Sequence, residues 1–299
     1  MLPVLIALSP ATHYELYHDW RKAIAFCRTL PDVSPGDPVT FHMYWRERAG
    51  AWWPTVRPFG RKQALPIKAF LATQDLAKCS LVLWSDGDLS RNEWLRPFLD
   101  RIDLRVYDVA REVRGTPLEG HPGIYNQRDR RVYRDGDLFR ILVLHNYGGV
   151  YADMDTVLLR SLGVFLDQEF VYQWDTYDDL YAPALMRLWK GSAFAQELVR
   201  GILEIPPGKY NWGRENVKRA IHRGRTISVF PSPFFNTEWQ ADPDFKPFES
   251  TPASANLYEG AFAWHWHNQW DAEIEPGSKF HRLETIMDER LSRMGACSR

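Results

Sequence analysis

The sequence predicts an α/β fold built on a largely parallel sheet, and three observations predict it. Short apolar runs of strand length alternate with longer stretches of helical periodicity. Gly148-Gly149 stops one of those helices directly before a strand. That strand runs into two carboxylates, Asp153 and Asp155, at the end where ligands of open parallel sheets gather.

The elements follow in order. Residues 2–8 are apolar and read as a first strand or a helix lead-in. Residues 12–30 read as one helix, with Leu16, Trp20, Ala23, Ile24 and Cys27 at helical spacing. Three prolines and a glycine make residues 31–38 a connector. Residues 39–45, 80–84, 104–107, 150–153 and 170–174 read as strands. Helices are expected over 65–76, 135–146, 193–203 and 216–222, with Asp135 capping the second of these. Residues 111–134 form a long Arg-rich loop, and 230–270 are rich in Pro, Phe and Trp without a clear period.

Composition bounds the function. The 299 residues suit one large domain, and a 45% hydrophobic fraction supplies a sizeable core. A net charge of -1 implies neither nucleic acid nor an acidic membrane surface as partner. Most of the 13 tryptophans are expected in the core. Cys27, Cys79 and Cys297 lack metal-type spacing and fit a reducing, cytoplasmic location. No transmembrane segment is expected.

The acid pair carries the chemistry. On a strand, alternate side chains share a face, so Asp153 and Asp155 converge and repel unless a cation lies between them. A hard divalent ion with oxygen ligands answers that need. Isolated D-x-D triplets are usually solvated turns, so the setting matters. One helix upstream stand Asp137 and Arg140, three apart on one face. As a simple surface pair they are worth about 0.3–0.5 kcal/mol. As site residues they would cross the sheet end and grip hydroxyls.

Asp137-Leu138-Phe139-Arg140, the apolar helix and Tyr147-Gly148-Gly149-Val150-Tyr151-Ala152-Asp153-Met154-Asp155 together resemble the signature of the DxD-containing glycosyltransferases. That group includes initiating mannosyltransferases, α-1,4-galactosyltransferases and bacterial capsule polysaccharide enzymes, with glucosylating toxins more distant. The resemblance is close over 137–160 and weaker from 41 to 270. It implies a GT-A fold with a Rossmann-like, mostly parallel central sheet flanked by helices. It also implies a nucleotide-sugar donor (UDP- favoured over GDP-), a glycan or other hydroxyl acceptor, Mn²⁺ or Mg²⁺, and retention of configuration. The chain then divides as one domain: a helical extension (1–38), a nucleotide-sugar half (39–160) and an acceptor half with a closing segment (161–299).

By position, the resemblance makes Asp155 the main metal ligand and gives Asp153 donor hydroxyls and the metal's waters. It puts Asp137 and Arg140 on the donor sugar and diphosphate, and packs Tyr151 beside the donor. Arg140 with the acid pair would be catalytic, since fixed cations and a metal both stabilise a departing diphosphate. His42-Met43-Tyr44-Trp45 resembles a family strand whose tryptophan stacks on the nucleobase, although Trp45 reads equally as a core aromatic. Trp264-His265-Trp266-His267-Asn268-Gln269-Trp270 resembles the family's closing motif. It would supply one metal ligand among His265, His267 and Asn268, with Trp270 over the diphosphate; His265 and His267 would share a face if extended.

Two departures fall in the acceptor half. Tyr181-Ala182-Pro183-Ala184 lacks an Asn that relatives often carry, and Trp212-Gly213-Arg214 replaces a Gly-Pro. Asp175, Asp178 and Asp179, like Arg128, Arg130 and Arg131, read as solvated loops. The competing functions are a metal-dependent phosphohydrolase and a non-catalytic sugar-nucleotide-binding module.

Overall fold

A computed structural model of the chain describes residues 7–47, 57–127, 132–175, 177–208, 211–241, 245–252 and 256–297. The expectations for 2–6 and for Arg128, Arg130 and Arg131 lie outside the described residues. The strands are β1 (Val39–Trp45), β2 (Cys79–Ser85), β3 (Asp103–Val106), β4 (Gly149–Ala152), β5 (Thr156–Leu158), β6 (Phe170–Gln173), β7 (Tyr181–Leu188), β8 (Ser228–Phe230) and β9 (Ala263–His265). The helices are α1 (Pro10–His18), α2 (Trp20–Thr29), α3 (Arg61–Thr73), α4 (Val109–Glu112), α5 (Pro122–Tyr125), α6 (Tyr133–Tyr147), α7 (Ala193–Glu204), α8 (Asn216–His222), α9 (Glu238–Ala241) and α10 (Lys279–Cys297).

Seven strands form one sheet in the order β3-β2-β1-β4-β7-β6-β8, and β5 pairs with β9 in a separate ribbon. β7 runs antiparallel to both its neighbours, and the other pairings of the large sheet are parallel. This is the Rossmann-like, mostly parallel sheet flanked by helices that the resemblance implies. Strand order reverses between β1 and β4, and ligands of such sheets bind beyond the carboxyl ends of the strands at that switch point.

Both faces of the sheet are buried, and side-chain alternation decides who faces what. Phe41, Met43, Leu81, Leu83, Val150 and Ala152 enter the core shared with α3. Their neighbours Tyr44, Val82, Trp84 and Tyr151 enter the core shared with α6, α7 and α8. A third cluster joins the outer side of α3 (Leu65, Ala69) to Trp264, Trp266 and the α10 residues Phe280, Leu283 and Met287.

Several boundaries differ from the sequence expectation. The single helix over 12–30 is two, because Asp19 is extended (φ -126°) and its carboxylate caps α2 through the Arg21 and Lys22 amides. α3 starts four residues early, since Gln63 bonds back to the Gly60 amide and the helix tolerates Pro66 inside it. Asp135 does not cap α6. It lies in the first turn, buried, and takes Arg46 Nη1 at 2.7 Å. The acid pair is not on a strand: β4 ends at Ala152 and a turn carries 153–155 into β5. β7 carries no clear strand signal in the sequence because Pro183 sits inside it, beside a register shift in its pairing with β6.

The double glycine has a steric cause. Gly148 (φ 69°) ends α6, and Gly149 (φ 101°) opens β4. A Cβ on Gly149 would stand 2.2 Å from Thr40 O. His42 secures the same turn: its Nε2 bonds Gly148 O at 2.9 Å while Nδ1 accepts from Trp84 Nε1 at 3.2 Å. Burial pushes the His42 pKa down to about 4, so the ring is neutral and its tautomer fixed. Gly149→Ala should therefore lose about 2–4 kcal/mol of stability, measured as a lower urea midpoint with an unchanged m-value.

Candidate active site

The turn after β4 brings the two acids together, closed by the Thr156 amide on Asp153 O at 2.9 Å. Met154 between them is buried in the core and anchors it. The β5–β9 ribbon supplies the third member. Its register sets His265 opposite Thr156 and therefore beside Asp155. One carboxylate oxygen from each of Asp153 and Asp155 and one ring nitrogen of His265 lie within 4.8 Å of one another.

Each acid has its own positive partner. Arg140 Nη2 donates to Asp153 Oδ1 at 3.2 Å and lies 3.5 Å from Asp137 Oδ1. The rest of that guanidinium donates to Gly136 O (3.2 Å) and Pro183 O (2.8 Å), and it rides 4.6 Å above the Tyr151 ring. The Tyr151 hydroxyl donates to the same Asp153 oxygen, and the Asp153 amide bonds Ala184 O at 2.7 Å. Asp155 faces His265 Nε2 at 3.1 Å and receives the Asn268 amide at 2.7 Å on its other oxygen.

The titration pattern follows. Burial holds the Asp153 carboxyl above its usual value; Arg140 opposes that, and repulsion from Asp155 adds to it. Asp155 is buried too, yet the His265 charge and the Asn268 amide hold it below the usual value. Burial alone would lower the His265 pKa, but the Asp155 charge outweighs it and raises it. Tyr172 on β6 also feels this pocket: its burial and the two acids push its phenol well above the usual range.

The donor set fits a divalent cation. His265 is 5% exposed, and neither ring nitrogen makes a hydrogen bond of normal geometry, although Nε2 lies at ion-pair distance from Asp155. A buried imidazole in that state is short of one partner. Ligands about 2.0–2.2 Å from one ion lie within about 4.4 Å of one another, so the three atoms need close by only a few tenths of an ångström.

The closing segment splits by alternation and then by a twist. In β9, Trp264 faces the core while His265 faces the acids. His267 (φ 56°) and Asn268 (φ 60°) are left-handed, so the extended alternation stops there. His267 Nε2 meets Asn236 Oδ1 at 3.0 Å, behind His265 at a ring distance of 4.1 Å. Burial and the His265 charge hold His267 well below its usual pKa, as a neutral ring. Trp270 packs edge to face on Trp45 (5.0 Å, 62°) and donates its indole N–H to Asn268 Oδ1 at 3.0 Å. Trp45 is half-buried at the carboxyl end of β1, next to the point where strand order reverses.

Some participants had no sequence signal. Asn236, Tyr172 and the carbonyls of Pro183 and Ala184 are brought in by tertiary packing alone. Gly213, read as a departure, lies under Asp137: a Cβ there would stand 2.4 Å from Asp137 Oδ1. Asp179 is paired with Lys218 (2.9 Å) and His222 (2.7 Å) on α8. Cys27 and Cys79 are buried thiols whose pKa values burial pushes up, for Cys79 to about 11. In the metal-free protein His265 should titrate above 6.5, and in Asp155→Asn below it, because burial then acts with less opposition. An NMR titration of the imidazole that gives the same value in both proteins would remove this electrostatic account.

Residues 79–172 match the family described as a glycosyltransferase sugar-binding region containing the DXD motif. The match spans Asp137, Arg140, Tyr151, Asp153 and Asp155, while Trp45, His265 and Trp270 lie outside it. No curated protein matches the chain. Among solved structures it is similar to the PaToxG glycosyltransferase (18% identity, 75% of this chain and 76% of that one, TM-score 0.40). It is also similar to the WbbM bifunctional glycosyltransferase (14%, 88% and 53%, TM-score 0.45). A third is the bacterial N-acetylglucosamine transferase NleB (14%, 66% and 90%, TM-score 0.36). Over residues 79–172, the chain is thus similar to the DXD-containing glycosyltransferase sugar-binding family.

Proposed function

We propose that this chain is a glycosyltransferase that moves a sugar from a nucleotide-sugar donor, with UDP- favoured over GDP-, to a hydroxyl of a glycan or other acceptor. Asp153, Asp155 and His265 would hold a divalent ion, Mn²⁺ or Mg²⁺. The observation that carries this reading is the convergence of those three side chains at the sheet's switch point. When bound, the ion supplies Lewis-acid stabilisation of the departing diphosphate.

The protein's own groups have distinct tasks in this reading. Arg140 holds Asp153 in one rotamer and adds fixed positive charge on the donor side. Asp137, kept in place against Gly213, offers its carboxylate to donor hydroxyls. Trp45, braced edge to face by Trp270, gives an aromatic face to the base, and Trp270 covers the diphosphate side. Asn268 orients Asp155 through its amide, so one oxygen is committed and the other meets His265. Retention of configuration is part of the proposal by resemblance, and no side chain is assigned as a nucleophile. A two-metal phosphohydrolase would need a second ligand group, and among the described residues only this one is found. No helix among the described residues is long and apolar enough to cross a membrane. The unpaired Cys27 and Cys79 support a cytoplasmic location.

A panel of UDP- and GDP-sugars with Mn²⁺ tests the reading by thermal shift. At about 100-fold excess over Kd, the matching donor should raise Tm by about 5 °C. That gain should vanish in Asp155→Ala and in excess chelator; an undiminished gain or undiminished transfer in either would sink the metal assignment. Mn²⁺ affinity should also rise with pH through the raised His265 titration, since binding requires the neutral ring. His265→Ala should flatten that dependence.

A further inference from the structure

α3 begins with Arg61 and Lys62 and has no acid in its first turn. Cations there oppose the helix dipole, which favours negative charge at that end. Both side chains leave α3 for the C-terminal part of the chain. Arg61 pairs with Glu284 on α10 at 2.6 Å. Lys62 does something more specific: it donates to Gln269 O (2.7 Å), Trp270 O (3.0 Å) and Ala272 O (2.5 Å).

An ammonium has three N–H donors, and these three carbonyls use all of them. Lys62 is 8% exposed, and its charge also lies 3.6 Å over the Phe248 ring. Burial pushes the Lys62 pKa down to about 8, which leaves it an ammonium at neutral pH; Asp271 opposes that shift and Arg57, its partner at 2.9 Å, adds to it. Three carbonyls aimed at one point repel one another without a cation, so the curl of 269–272 depends on Lys62.

That curl sets two contacts of the site. It presents the Trp270 ring to Trp45, and it follows directly from Asn268, whose amide holds Asp155. The two residues before it are left-handed, a backbone state that persists only where surrounding contacts impose it.

We propose that Lys62 is a positioning residue of the donor site: by gathering the carbonyls of Gln269, Trp270 and Ala272 it seats Trp270 on Trp45 and the Asn268 amide on Asp155. Lys62 touches neither donor nor metal and acts through the segment it ties. The inference rests on the nucleotide-sugar reading of that site, and the test separates the two.

Hydrogen exchange of the ligand-free full chain comes first. Lys62→Met should speed exchange at the amides of residues 268–272 and leave those of β1, β2 and β4 unchanged. Calorimetry of UDP binding with Mn²⁺ follows, and Lys62→Met should weaken it about tenfold or more, with Lys62→Arg recovering part of the loss. Combined with Trp270→Ala, the second substitution should add less than it does alone, because both act on one contact. Wild-type exchange in 268–272, unchanged UDP affinity with a loosened segment, or fully multiplicative effects would each overturn the proposal. If Lys62→Met does not fold, Lys62→Gln carries the same comparison. A wild-type chain that binds neither UDP nor GDP with Mn²⁺ overturns the reading of function, and the exchange result still decides whether Lys62 holds the segment.

Discussion

Asp153 and Asp155 lie close enough that their ligand oxygens and a His265 nitrogen fall within 4.8 Å, and most of the structure around them manages that proximity. Like charges at such a distance repel by about 3–4 kcal/mol at the effective polarity of a partly buried site. Arg140 offsets the repulsion from the α6 side, and His265 offsets it from the ribbon. The two compensations differ in kind. The guanidinium is a permanent charge, tied to backbone carbonyls on two elements. The imidazole is charged only while protonated, so the compensation on this side of the site depends on pH.

This arrangement explains why the surrounding fold is so constrained. The oxygen that Arg140 holds also takes the Tyr151 hydroxyl, so α6 and β4 must keep their relative register. Gly148 and Gly149 fix that register, because the chain turns from α6 into β4 with no room for a Cβ against Thr40. His42 adds a bond from β1 to the same turn and a bond from β2 to itself. Three neighbouring strands and one helix thus share responsibility for the direction of a single carboxylate.

How much of this could be read from the residues depends on how local each feature is. β1, β2, α6, α7 and α8 came through because apolar periodicity and glycine punctuation are properties of a short window. Asp137, Arg140 and the acid pair stood out for the same reason, being one helix and one turn apart. The spacing of the acids suits a strand, yet a turn brings them together, and either backbone can do so. β7 was hidden by Pro183, whose ring and missing amide are accommodated at a register shift. α10 was not recognised, and β9 was lost among aromatics. Which of His265, His267 and Asn268 meets Asp155 depends on two left-handed residues that no spacing rule announces. Asn236 and Lys62 are distant in sequence from the groups they touch, His267 and the Gln269 carbonyl.

The β5–β9 ribbon has a consequence for the order in which the molecule comes together. Asn268 reaches Asp155 across 113 residues of chain, and the contacts that close such long loops form slowly and at an entropic cost. During synthesis the helix, the paired glycines and both acids emerge and can fold well before the ribbon's second strand exists. Until that strand docks, the acids face each other with Arg140 and the Tyr151 hydroxyl as partners on the Asp153 side. The completed acid–histidine cluster is therefore a late property of the polypeptide, acquired when its final third has folded back onto the middle one.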